Sequence, residues 1–355
     1  MSLLAHEEVV VRRGRRSGLY LVVAVHSTAL GPALGGARLW PYHALGDAIA
    51  DALRLSEAMT YKAAAAGLDL GGGKAVLCAP PNGGLPADRR RELMLDLGDV
   101  VESLDGRYVT AEDVGTGTDD MTMIGERTSH VVGRPVESGG SGDPSPVTAR
   151  GVEAAMRACC EHLYGTSELT DRPIVIVGLG HVGLALAERL TAAGALLTVS
   201  DIDPDKRALA DQLKVGWVDA ADAIATDCGI LAPCALGGAI NPDTIAELRC
   251  EIVCGSANNV LASDSLADTL SEREILYAPD FIANAGGLIN VYGELHDLGR
   301  ERLDQLVDGI GDAIGRVFEA ADVRSITPLK AARAVALERL AAAAPGPDAA
   351  HAGAL

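Results

Sequence analysis

The spacing of hydrophobic positions changes several times along the chain, and each change marks a block. Near the start HEEVVVRR, GLYLVVAVHS and GPALGGARLW are short apolar runs, each ended by glycine or a turn residue, which predicts three strands. In DAIADALRLSEAMTYKAAAA the apolar residues fall at helical spacing through Ile49, Leu53 and Met59, with Ser56 out of pattern, so an amphipathic helix is expected to run towards Lys62. A bare Gly71-Gly72-Gly73 turn, a strand KAVLCA, a loop with Pro80, Pro81 and Gly83, a helix RRRELMLDLGDVVESL and a strand RYVTAEDV complete a first α/β block. The stretch VESGGSGDPSP, between Gly133 and Pro146, reads as a hinge with Gly139 and Gly140 as its pivot. Beyond it the helix TARGVEAAMRACCEHLYG leads into PIVIVG, ALLTVSD, GILAP, EIVCGS and ILYAP, with helical patterns between them. That alternation predicts a parallel, doubly wound sheet. Two long helices are expected near 303–321 and 329–340, and the last residues, AAAAPGPDAAHAGAL, read as a disordered tail.

A chain of 355 residues with 48% hydrophobic residues can bury two cores, which matches the two blocks. The expected domains are 1–136 and 147–324, with a helix at about 325–342 able to pack back on the first and a tail over 343–355. A net charge of −19 would repel phosphates, so nucleic acid and anionic membranes are excluded as partners and small ligands are expected. MSLLAHEEVVVRR has no apolar stretch after a basic start, and no run is long enough to span a bilayer, so a soluble, cytoplasmic protein is expected. The seven cysteines form no C-x-x-C pair and no histidine cluster has metal-ligand spacing, so neither a disulfide framework nor a metal site is signalled.

The run PIVIVGLGHVGLALAERL places Gly178, Gly180 and Gly183 in G-x-G-x-x-G spacing, after a β-branched strand and at the start of a helix. This is the setting of a dinucleotide-binding loop, here Gly178, Leu179, Gly180, His181, Val182 and Gly183. The first glycine permits the turn, the second admits the pyrophosphate and the third allows close helix packing. About twenty residues on, ALLTVSDID ends a strand with Asp201, placed to accept from the adenosine ribose hydroxyls and to repel a 2′-phosphate, which favours NAD over NADP; Asp203 is close enough to take that role instead.

Lys62 and Lys74 stand on either side of the three glycines in MTYKAAAAGLDLGGGKAVL, an almost wholly apolar stretch. A buried lysine without a partner loses several kcal/mol, roughly, so these cations point to a ligand. An amino acid would use both. Its carboxylate needs a fixed cation, which Lys62 would supply, and oxidation at its amino group needs a general base. Lys74 would be that base, its proton affinity lowered by burial and by a neighbouring cation. Asp113, in TAEDVGT, would add a second titrating group beside Glu112.

Taken together, GPALGGARLWPY, MTYKAAAAGLDLGGGKAVL, RYVTAEDVGT, GLGHVG, APCALGGAI, GSANN and YAPDFIANAGGLINV resemble, in collinear order from about 31 to 340, the glutamate/leucine/phenylalanine/valine dehydrogenase family, its leucine and valine members above all. The resemblance implies an N-terminal α/β substrate domain and a Rossmann NAD-binding domain, with a cleft between them that closes at the hinge. The implied reaction is NAD-dependent conversion of an L-amino acid to its 2-oxo acid and ammonium, in a homo-oligomer. It assigns catalysis to Lys74 and Asp113 rather than Glu112, and the substrate carboxylate to Lys62. Gly35, Gly36 and either Asn258 or Asn259 are implied at the substrate, and Thr148 and Asn284 near the nicotinamide. Leu34, Ala111, Leu288 and Val291 are implied to line the side-chain pocket, which favours a branched aliphatic substrate over an aromatic one and excludes glutamate, because a second carboxylate would find no cation.

Overall fold

The computed structural model describes residues 5–80 and 84–343; residues 81–83 of the expected proline-glycine loop and 344–355 of the expected tail lie outside the described residues, while residues 341–343 of that tail are helical. Among these residues the chain forms two compact units. One takes the chain up to Gly142, Val291–Asp297 and the chain from Ala336; the other takes Asp143–Asn290 and Leu298–Val335.

The first unit begins with β1 (Glu8–Arg13), β2 (Tyr20–Ser27), β3 (Ala33–Trp40), α1 (Leu45–Ala65), β4 (Gly71–Cys78), α2 (Ala87–Glu102), β5 (Tyr108–Glu112) and α3 (Thr118–Gly125). Its sheet has the order β1-β2-β4-β3-β5. β2 runs antiparallel to β1 and β4, while β3 runs parallel to β4 and β5. Because side chains alternate along a strand, the sheet has two unlike faces. One buries Leu21, Val23, Val25, Ala37, Ala75 and Leu77 with Leu93, Met94 and Leu97 of α2 and Ile124 of α3. The other buries Val22, Ala24 and Val76 under Ala48, Ala52 and Leu53 of α1. The buried side of α1 also includes Ser56 and Thr60, so small residues rather than the large apolar ones face the sheet and the helix lies close to it.

The expected turn at Gly71-Gly72-Gly73 is not a turn: the three glycines open strand β4 and pair with β2 and β3. Crowding explains them. A side chain at Gly72 would collide with the Thr60 backbone, and one at Gly73 would lie about 2.5 Å from the Tyr108 ring. Glycine in a strand often marks such a close approach.

The second unit contains α4 (Ser145–Tyr164), β6 (Pro173–Val177), α5 (His181–Ala192), β7 (Leu196–Ser200), α6 (Arg207–Leu213), β8 (Gly216–Trp217), β9 (Cys228–Pro233), β10 (Cys250–Val253), α7 (Leu266–Glu272), β11 (Leu276–Tyr277) and α8 (Asp280–Ala283). α9 (Gly286–Leu295), α10 (Arg300–Arg324) and α11 (Pro328–Ala343) follow, and the boundary between the units falls inside α9 and α11. All six strands are parallel in the order β11-β10-β9-β6-β7-β8, with the strand order reversing between β6 and β9. This is the doubly wound Rossmann arrangement, and ligands bind at the carboxyl ends of the strands at such a reversal. The two-residue strand β8 was not visible in the apolar pattern. In the first unit, Arg339 near the end of α11 donates to the carbonyls of Ala63, Ala64 and Leu68 and pairs with Asp69 at 2.7 Å.

Candidate active site

Strand register brings Leu34, Gly36, Lys74 and Ala111 onto the face that α1 covers. Leu34 pairs with Gly72 and Val109, Gly36 with Ala111, and Ala24 with Lys74. Lys74 points into this face and is 5% exposed. Its Nζ donates to Asp113 Oδ2 at 2.7 Å, just beyond the end of β5. Gly36 makes room for this pair, since a Cβ there would sit about 2.7 Å from Asp113 Cβ. Gly35 is equally closed in by the backbone of Gly73, and its carbonyl accepts from the Tyr108 hydroxyl at 2.6 Å. Burial drives the Lys74 ammonium below its ordinary proton affinity, Asp113 pulls the other way, and Arg38 adds to the lowering. For Asp113, burial alone would raise the carboxyl, but Lys74 and Arg38 together outweigh it and hold the group anionic. Arg38 is thus a cation acting on Lys74 that the sequence did not single out, and Lys62 sits half-buried in the last turn of α1. One available signal was that Arg38 is the lone charge in the apolar run GPALGGARLW. Leu34 and Ala111 are buried in the same sheet.

In the second unit the glycine loop follows β6. Gly178 has φ of +107°, and a side chain there would press about 2.7 Å from Ala235, in the loop after β9. A side chain at Gly183 would collide with the Gly178 carbonyl, so α5 packs directly on the turn. At Gly180, the residue before α5, a side chain would meet nothing within 4 Å. The loop thus reserves open space in front of a helix N-terminus whose backbone N–H groups suit a pyrophosphate, which fits a dinucleotide. Leu179 is buried, Val182 half-buried and His181 exposed.

Asp201 follows β7 and is tied to the loop: Oδ2 accepts from Leu179 N at 2.7 Å and from Lys206 Nζ at 2.9 Å, and Oδ1 accepts from Asp203 N. Burial would raise this carboxyl, but the two backbone N–H groups and Lys206 hold it ionised. Asp203 is exposed and caps the next short turn by accepting from Asp205 N. Lys206 was also missed, although it lies five residues beyond Asp201.

The remaining candidates lie elsewhere along the chain. Asn258 Oδ1 accepts from Asn284 Nδ2 at 2.9 Å, and the same amide donates to the Ser256 and Ala257 carbonyls. Asn259, beside it, has φ of +52°, and both asparagines are exposed. Asp280 accepts from Val260 N, so α8 and Asn284 together fix this loop. Thr148 is buried in α4, donates to the Pro144 carbonyl at 2.9 Å and packs on Gly286 and Gly287. Leu288 and Val291 lie three residues apart in α9, which puts them on one helix face. Among the described residues there is no cluster of His, Cys, Asp and Glu able to hold a metal, and no helix long and apolar enough to cross a membrane.

Two family models match the chain. Residues 5–130 fit "Glu/Leu/Phe/Val dehydrogenase, dimerisation domain" and residues 203–345 fit "Glutamate/Leucine/Phenylalanine/Valine dehydrogenase". The chain is 45% identical over 346 residues to valine dehydrogenase of Streptomyces coelicolor, covering 96% of this chain and 94% of that protein. It is 43% identical over 338 residues to leucine dehydrogenase of Bacillus cereus, covering 95% and 91% respectively. Among solved structures, L-tryptophan dehydrogenase from Nostoc punctiforme superposes with a TM-score of 0.85 at 36% identity, covering 96% of this chain and 97% of that one.

Proposed function

Because the chain belongs to the glutamate/leucine/phenylalanine/valine dehydrogenase family, we propose that it oxidises a branched-chain aliphatic L-amino acid, with valine, leucine and isoleucine as its substrates. It is an amino acid dehydrogenase that uses a nicotinamide dinucleotide. The balanced reaction converts the amino acid, oxidised cofactor and water to the 2-oxo acid, ammonium, reduced cofactor and a proton. The observation that carries the reading is the 2.7 Å pair of buried Lys74 and half-buried Asp113, an acid–base couple packed among glycines.

Lys62 holds the substrate carboxylate as a point charge. Lys74, its ammonium destabilised by burial, takes a proton in its neutral form and activates the water that attacks the iminium carbon. Asp113 relays protons to the amino nitrogen as the carbinolamine collapses. The nicotinamide supplies the hydride acceptor. Asn258 or Asn259, together with Asn284 and Thr148, orients substrate and nicotinamide through neutral groups. Asp201 favours NAD over NADP, because its carboxylate repels a 2′-phosphate. The apolar set Leu34, Ala111, Leu288 and Val291 leaves a glutamate side chain without a cation. The match of residues 5–130 to a dimerisation domain supports assembly of identical subunits.

A panel of L-valine, L-leucine, L-isoleucine, L-phenylalanine, L-tryptophan and L-glutamate, followed by NADH formation, tests the substrate. The branched chains should all react within about 10–200-fold of one another, because a methylene in an apolar pocket is worth only about 1–3 kcal/mol, and glutamate should be rejected far more strongly. The aromatic alternative rests on the likeness to the tryptophan enzyme, at 36% identity against 45% and 43% for the valine and leucine enzymes. An aromatic substrate ahead by about tenfold, or roughly 1.4 kcal/mol, would establish it.

A further inference from the structure

Asp113 has two cationic partners on one oxygen. Its Oδ2 accepts from Lys74 Nζ at 2.7 Å and from Arg38 Nε at 2.9 Å. Nη1 of Arg38 reaches Asp51 Oδ2 on α1 at 3.1 Å, and Asp51 is fixed in turn by the Tyr42 hydroxyl and by Arg54, each at 2.6 Å. A planar guanidinium can hold two carboxylates on different elements in this way, which a lysine ammonium cannot do with the same geometry. Arg38 and Asp113 are both about one-fifth exposed in their side chains, so their attraction is only partly screened.

We propose that Arg38 is a positioning residue of this site: it fixes the Asp113 carboxylate against Lys74 and, by sharing that negative charge, leaves Lys74 free to give up its proton. The proposal rests on the reading of Lys74 as general base. Without Arg38 the Asp113 charge would belong to Lys74 alone, and a repelling cation would be gone. Both changes stabilise the ammonium. The charged groups that bear on Lys74 include Asp113 after β5, Arg38 on β3 and Asp51 on α1, with Tyr42 and Arg54 acting through Asp51. Of these, only Arg38 opposes protonation of Lys74 directly.

The test compares the pH dependence of kcat/KM in the full-length wild type, Arg38→Met and Arg38→Lys. Activity rises with pH as Lys74 deprotonates, so stabilising the ammonium moves that limb upward. In Arg38→Met the limb should move up by about one pH unit, a tenfold gain in proton affinity, and in Arg38→Lys by less. A parallel titration follows the Cε carbons of the chain's five lysines by NMR, with the Lys74 signal assigned by its loss in Lys74→Ala. The Lys74 midpoint should move as the kinetic limb does. An unchanged midpoint in Arg38→Met, or equal shifts in the Met and Lys variants, would overturn the proposal. If Arg38→Met does not fold, Arg38→Lys decides: an unmoved Lys74 midpoint overturns the proposal. The NMR arm needs no turnover, so a protein that oxidises none of the amino acids would refute the function while Arg38 is still judged.

Discussion

The candidate substrate site and the candidate dinucleotide site are built from opposite materials. In the first unit the chemistry is carried by side-chain charges, with Lys74, Asp113 and Arg38 held together on a sheet face. In the second unit it is carried by the absence of side chains, with Gly178 and Gly183 closely packed and Gly180 facing open space. A site of coupled charges is sensitive to the loss of any one of them, because each charge sets the protonation and position of the others. A site of bare backbone is sensitive to added volume instead. The two sites should therefore fail in different ways.

The largest expected effect comes from deleting charge. Lys74→Ala should lower kcat by about 10²–10⁴-fold, the usual worth of a general base, while NADH binding measured by fluorescence stays within a few-fold of wild type. Asp113 keeps Arg38 as a partner in this variant, so the fold should persist. Lys62→Ala should act mainly on KM, since its proposed role is binding. Near-normal turnover in Lys74→Ala would erase the contrast between the two sites.

Adding volume sharpens it. Gly183→Ala forces a methyl group against the Gly178 carbonyl and should lower the melting temperature as well as NADH affinity. Gly180→Ala meets no protein atom, so its melting temperature should match wild type while NADH affinity falls about tenfold or more. Calorimetric titration and thermal unfolding of the two variants separate these outcomes. Equal affinity in Gly180→Ala and wild type would mean that the open space is not where the pyrophosphate lies.

The smallest effect concerns the Asp201–Lys206 pair beside the glycine loop. Asp201→Ser leaves Lys206 without its carboxylate partner and free to meet a 2′-phosphate. The ratio of kcat/KM for NAD over NADP should fall by about tenfold, worth roughly 1.4 kcal/mol. Adding Lys206→Ala should restore part of the ratio. If Asp201→Ser alone leaves the ratio unchanged, Asp203 or another group sets the preference.

Much of this was legible before any coordinates. The glycine spacing, the strand before it and the helix after it are local features, and the strand, turn and helix they predict are observed. The alternation of strands and helices from PIVIVG onward likewise gave the parallel sheet. Lys62 and Lys74 stood out because charge is rare in apolar sequence, and that signal is also local. The glycines before Lys74 were misread, because a glycine triplet looks the same as a turn or as a crowded strand. Only the approach of Thr60 and Tyr108 distinguishes the two.

What the sequence determined by itself was therefore the kind of residue at each site and the type of element that carries it, because backbone preference and side-chain period act over a few positions. The tertiary structure alone decided who meets whom. Arg38 and Asp113 lie 75 residues apart, and Lys74 and Asp113 lie 39 apart. Their meeting depends on β3 lying between β4 and β5, a pairing that no local pattern encodes. Lys206 closing on Asp201 and Asn284 choosing Asn258 are decided in the same way, by how a turn and a helix pack once the sheet has formed. Electrostatic energy falls with distance in space rather than along the chain, so the charge balance at Lys74 could be read only after the fold had set those distances.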